Sequence, residues 1–89
     1  MSPEPAPTRK IARVSVYQKS LQIHLDAPVA GRPGIFNLSS DHDNYDLFCS
    51  VVLLAYAEEK PIAIYFDPRT VKNDGGKVSA SAIWALLPK

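Results

Sequence analysis

The chain has one cysteine, Cys49, in 89 residues. A single thiol excludes an internal disulfide framework and any multi-cysteine metal site. Charge of one sign is also lacking. Ten basic residues face nine acidic ones, for a net charge of +1, which excludes a strongly basic nucleic-acid binder and a polyacidic tail. There is no long hydrophobic run. The longest apolar stretch, Leu47 to Ala57, is interrupted by Ser50 and is far shorter than a bilayer span. No apolar segment follows a basic start, so no secretory signal is read and the expected location is the cytoplasm, without membrane insertion. Asn73-Asp74-Gly75-Gly76-Lys77 lacks the spacing of a Walker phosphate loop and reads as a turn.

Hydrophobic residues make up 46% of the chain and charged ones 21%, a balance that favours a folded domain. The first eight residues, MSPEPAPT, carry Pro3, Pro5 and Pro7 and predict a flexible or polyproline-like arm over 1–8. Residues 9–89 are then a single domain. A domain of this size buries only about 60–65% of its unfolded surface, which argues against a large catalytic cleft between layers.

Period-two alternation predicts most of the remaining elements as strands. In Lys10 to Tyr17, Ala12, Val14 and Val16 share one face, and Ile11, Arg13, Ser15 and Tyr17 the other. Gln18-Lys19-Ser20 is short enough for a hairpin, after which Leu21, Ile23 and Leu25 alternate with Gln22, His24 and Asp26. Ala27 to Gly34 must be a loop, since it holds two prolines and two glycines. Ile35 to Leu38 is a third strand and Ile62 to Phe66 a fourth. Val78 to Leu87 is the last, with Ala80, Ala82, Trp84 and Leu86 on one face.

Between the third and fourth strands, Ser39 to Lys60 reads as a helix. Ser40, Asp41 and Asp43 are candidate caps, and acidic groups suit a helix start. One stripe holds Tyr45, Phe48, Val52, Ala55 and Tyr56. A second holds Leu47, Val51, Leu54 and Glu58. A helix apolar on so many sides needs more than one sheet to cover it. The second stripe is therefore the expected oligomer interface, unless loops cover it. The order β-β-β-α-β-β predicts a mainly β domain with one helix, an OB-fold-like five-stranded Greek-key barrel.

The run YDLFCSVVLLAYAEEKPIAIYFDPRT, a loop, and then SASAIWALL carry a resemblance. Tyr45, Leu53, Leu54, Tyr56, Lys60, Pro61, Ile62, Ile64 and Tyr65 stand where the B subunits of pertussis-type and subtilase-type toxins have a Tyr-containing helix, a short turn and a V-x-I-x-Y strand. The resemblance spans about residues 44–87. It implies an OB-fold, a ring of five with helices lining its centre, and glycan binding. Those toxins are secreted and disulfide-bonded, whereas this chain has one cysteine.

No residue set predicts catalysis, a cofactor or a metal. Asp41-His42-Asp43 point in different directions at a helix start and read as capping. His24 reads as a surface residue on its strand, and Cys49 as helix core without a base beside it. The alternative function is that of a single-stranded nucleic-acid-binding OB-fold. Tyr17, Tyr65 and Phe36 would stack bases, and Arg13, Lys19, Arg32, Arg69, Lys72 and Lys77 would line a groove. Of these, Tyr17, Tyr65, Arg13 and Arg69 are the expected ligand contacts for either a glycan or a nucleic acid.

Overall fold

A computed structural model describes residues 3–27 and 29–87. Its strands are β1 (Glu4–Pro5), β2 (Ile11–Tyr17), β3 (Ser20–Leu25), β4 (Ile35–Ser39), β5 (Ala63–Phe66), β6 (Lys72–Asp74) and β7 (Lys77–Leu86). One helix, α1 (Tyr45–Ala57), joins β4 to β5, and a 3-10 turn spans Pro68–Thr70. The strands form one seven-stranded sheet in the order β1-β5-β7-β4-β3-β2, with β6 paired to β7. β4 and β7 are parallel, and the other pairs are antiparallel. The protein is therefore mainly β with one helix. No helix among the described residues is long and apolar enough to cross a membrane.

The core follows the alternation of β3 and β4. Ile23, Phe36, Leu38, Val52, Ile62 and Ile64 are the largest side chains fully withdrawn from water. They come from β3, β4, α1 and the β5 segment, so the helix closes one side of the sheet. Phe36 is 0% exposed, which removes it from any base-stacking surface.

Two bulges correct the predicted strand faces. On β2, Ile11 pairs with Leu25 but Arg13 with His24, so Ala12 is the extra residue. Ile11 is thereby turned into the core while Ala12 is exposed. On β7, Phe66 faces Ala82 and Tyr65 faces Trp84, leaving Ile83 unopposed. One inserted residue inverts a period-two pattern. Ala80 and Ala82 point inward, but Trp84 and Leu86, expected on the same face, are exposed, and Ala85 and Leu87 pack against the core instead.

The N-terminal arm also differs from expectation. Glu4 and Pro5 pair with Phe66 and Tyr65, and Ala6 is buried with its N–H donating to the Ile64 carbonyl at 2.8 Å. Arg9 and Ile62 exchange hydrogen bonds of 3.3 and 2.9 Å. Proline is tolerated here because an edge strand does not need every donor, and the bare edge of β5 gains a partner.

α1 is shorter than predicted, since residues 40–44 form turns. Ser39 Oγ accepts from the Asp41 amide, and His42 Nδ1 from the Asn44 amide. Side chains that satisfy local amides in this way compete with helix formation. Asn44 is the N-cap, without a side-chain cap bond; Ser40, Asp41 and Asp43 do not cap. The other end is well closed. The Lys60 amide donates to the Ala55 carbonyl at 2.9 Å and the Glu59 amide to the Tyr56 carbonyl at 3.3 Å, the bond pair of a Schellman motif, with Pro61 just beyond.

That motif requires a left-handed residue, which is Glu59 at φ 54°. A side chain there is strained, and glycine is not. Glu59→Gly should therefore stabilise the fold by ~1 kcal/mol. Thermal denaturation should show Tm rising by roughly 4–8 °C; a fall would mean that the glutamate side chain makes a compensating contact.

Candidate functional site

The outward face of β2, β3, β4 and β7 is polar and laid out in rows by the strand register. Arg13, His24, Ile35 and Ser79 are successive partners in one row. Ser15, Gln22, Asn37 and Ser81 form the next. Side-chain hydrogen bonds knit the rows together. Tyr17 Oη donates to Gln22 Oε1 at 3.2 Å, and Gln22 Nε2 donates to Asn37 Oδ1 at 3.2 Å. His24 Nε2 lies 2.9 Å from Gln22 Oε1 and 3.3 Å from Arg13 Nη2. One ring nitrogen serves one role at a time. Donating to the Gln22 carbonyl oxygen, it offers the Arg13 guanidinium no acceptor.

At the end of this face lies a cavity of about 420 Å³. Its walls are the Arg13 and His24 row, the loop carrying Val29 to Gly34, and Gly76 with the start of β7 at Lys77. Backbone hydrogen bonds fix those walls. The Leu25 amide donates to the Gly34 carbonyl at 2.9 Å, and the Gly34 amide to the Val78 carbonyl at 3.1 Å. The tip of the loop is a turn closed by the Arg32 amide on the Val29 carbonyl at 3.0 Å. Gly31 takes φ 77° there, a conformation that favours glycine. Across from it, Gly75 and Gly76 both have positive φ and form the two-residue hairpin between β6 and β7, as the sequence predicts.

The electrostatics of this corner are one-sided. Partial burial first, and then the charges of Arg13 and Lys77, hold the His24 imidazole below its ordinary pKa. Of the expected contacts, Tyr17 joins the Gln22 network and Arg13 lies beside His24 on the same face. Arg69 is not part of the network. Its Nε and Nη2 bind the Asp67 carboxylate at 3.0 and 2.9 Å, and this pairing keeps Asp67 below the usual carboxylate range. Tyr65 instead stacks against Trp84, with ring centroids 4.9 Å apart.

The second candidate surface is the outer side of α1. Phe48, Val52 and Ala55 are buried against the sheet. Leu47, Leu53, Leu54 and Tyr56 are exposed, Val51 is partly covered, and Glu58 is exposed beside Lys60 at 3.6 Å. Loops do not cover the second stripe. Leu47 and Val51 border a groove of about 210 Å³ whose far wall is Ile83, Trp84 and Ala85. Trp84 escapes a sequence reading of this surface, because the bulge that turns it outward leaves no mark in the alternation.

His42 packs edge-on to Phe48 at 6.2 Å, and Cys49 is partly buried against the core. Among the described residues, no group of three or more His, Cys, Asp or Glu side chains is placed to hold a metal ion. Comparison with known proteins returns no matching family model, curated protein or solved structure.

The imidazole offers a direct check on the basic corner. Arg13→Gln and Lys77→Gln should each raise the pKa of His24, read by NMR titration of its ring. The unfolded chain takes up this proton before the folded one, so His24 should reduce stability as pH falls below about 6.5. An unchanged pKa in both variants would place these two charges too far from the ring to act on it.

Proposed function

We propose that this chain is a non-catalytic binding and assembly module that self-associates through the outer face of α1. One observation carries the reading. Leu47 is 69% exposed and Leu54 49%, on a helix with no charged residue between Leu47 and Ala57. Complete burial of such a side chain is worth about 1.5–3 kcal/mol, and a contiguous apolar surface marks an interaction site. A second copy is the fitting occupant. It brings the same uncharged stripe, so no buried charge is left without a partner, while Glu58 and Lys60 stay at the rim. Trp84 and Ile83 extend the surface beyond the helix.

The finer reading of the fold belongs to this proposal. β2, β3, β4, β7 and β5 stand in that order, with β4 parallel to β7 and α1 between β4 and β5. This order supports the reading of a partly open five-stranded Greek-key barrel of the OB type, and the isolated Arg9–Ile62 bridge, just before β2 and β5, is in keeping with it. The resemblance of residues 44–87 to toxin B subunits supports a ring of five and a glycan as its ligand. The alternative of single-stranded nucleic acid keeps Arg13 and Tyr17. It loses Phe36 to the core and Arg69 to Asp67.

Light scattering should give a mass that is a multiple of the 9.8 kDa chain. Leu54→Asp should reduce it to the monomer with an unchanged far-ultraviolet circular dichroism spectrum. The single tryptophan, Trp84, gives an independent readout, since its emission should shift to the blue as the wild type associates. A wild-type monomer at tens of micromolar, with emission independent of concentration, would remove the assembly.

A further inference from the structure

We infer that the cavity between Arg13, His24, Arg32 and Lys77 binds a small phosphate monoester. This site lies on the outward sheet face and the two loops beside it, and it does not depend on whether the chain self-associates.

Three arginine or lysine side chains and one histidine line the cavity, and no carboxylate does so among the described residues. Asp26 and Asp74, close by in sequence, are not in its lining. The two salt bridges among the described residues are Lys60–Glu58 and Arg69–Asp67, so Arg13, Arg32 and Lys77 have no such counter-charge. Cations gathered without an anion repel one another, and a bound dianion removes that repulsion. Arginine presents a planar fork to phosphate oxygens and lysine a compact charge. The lowered pKa of His24 fits the same imbalance, because its causes include Arg13 and Lys77. The remainder of the ligand is specified by the rest of the wall. Leu25, Val29, Ile35 and Val78 supply apolar surface, and about 420 Å³ falls within the range of small-molecule sites. The occupant is therefore an ester with a compact apolar or aromatic body. Glycine at 31, 34 and 76 leaves backbone open to the cavity; at Gly31 and Gly76, nothing lies within 4 Å of an added Cβ.

The test uses the whole chain and phenyl phosphate as the probe, at low ionic strength, followed by amide NMR. Inorganic phosphate, benzyl alcohol and a short oligothymidylate are run beside it. Phenyl phosphate should saturate and shift the amides of Gly31, Gly34, Gly76 and Lys77. Inorganic phosphate should shift the same amides more weakly, and benzyl alcohol should have no effect. The His24 pKa should rise on saturation. The exposed pair Arg13→Gln/Lys77→Gln should weaken binding roughly tenfold or more, because each charge-assisted hydrogen bond is lost. Leu54→Asp should bind as the wild type does, which separates this site from the α1 surface. The inference is overturned by an absence of saturable shifts in the millimolar range, or by shifts that persist unchanged in the double variant. It is also overturned if oligothymidylate displaces phenyl phosphate at far lower concentration, which would make the face a nucleic-acid surface.

Discussion

Strand β7 is the constraint on which the rest of the molecule depends. It pairs with β4, β5 and β6, so both halves of the sheet are joined through it. Its bulge at Ile83 then divides the strand into two pieces with opposite faces. The first piece sends Ala80 and Ala82 into the core, where small side chains leave room for Phe36 and Phe66, whose rings lie 6.0 Å apart. The second sends Trp84 and Leu86 outward. Without the extra residue, a tryptophan would have to enter a core built around alanines, and such overpacking is itself costly.

The same strand positions both candidate surfaces. Its N-terminal end, with Lys77 and Val78 and the preceding Gly76, forms one wall of the basic cavity. Its C-terminal end, with Ile83, Trp84 and Ala85, forms the wall opposite Leu47 and Val51. Polar chemistry and apolar surface are thus kept at separate places on a chain of 89 residues. A ligand in the cavity and a partner on the helix would not compete for the same side chains. The 3-10 turn is tied to the strand as well, since Thr70 Oγ1 accepts from the Ser81 amide at 2.8 Å.

Much of the fold was legible because its signals are local. The alternation of Leu21, Ile23 and Leu25 located β3 and its inner face, and Asn73 to Gly76 marked the last hairpin. The two stripes of α1 were separable in part: Phe48, Val52 and Ala55 are buried and Leu47 and Leu54 exposed, but Tyr56 of the first stripe is exposed and Val51 of the second partly covered. The failures have equally specific causes. Proline at 3, 5 and 7 suggested an arm, but the open edge of β5 offered hydrogen bonds that an extended proline segment can meet. The candidate caps before α1 fall in turns, where Ser39 and His42 take up the Asp41 and Asn44 amides. Arg69 was as plausible a ligand contact as Arg13 until its carboxylate partner was placed two residues away.

The sequence by itself determined the class of the protein: mainly β with one helix, without an internal disulfide, and with more apolar surface on the helix than a single sheet can cover. Composition and periodicity suffice for this, since each depends on neighbours within a turn or a pleat. Tertiary structure alone decided which residues meet. Arg13, His24, Arg32 and Lys77 are spread over 65 positions from 13 to 77, and only the pairing of β2, β3, β4 and β7 brings them to one cavity. Trp84 joins the helix surface for the same kind of reason. A bulge is defined by two strands together, and neither strand records it alone.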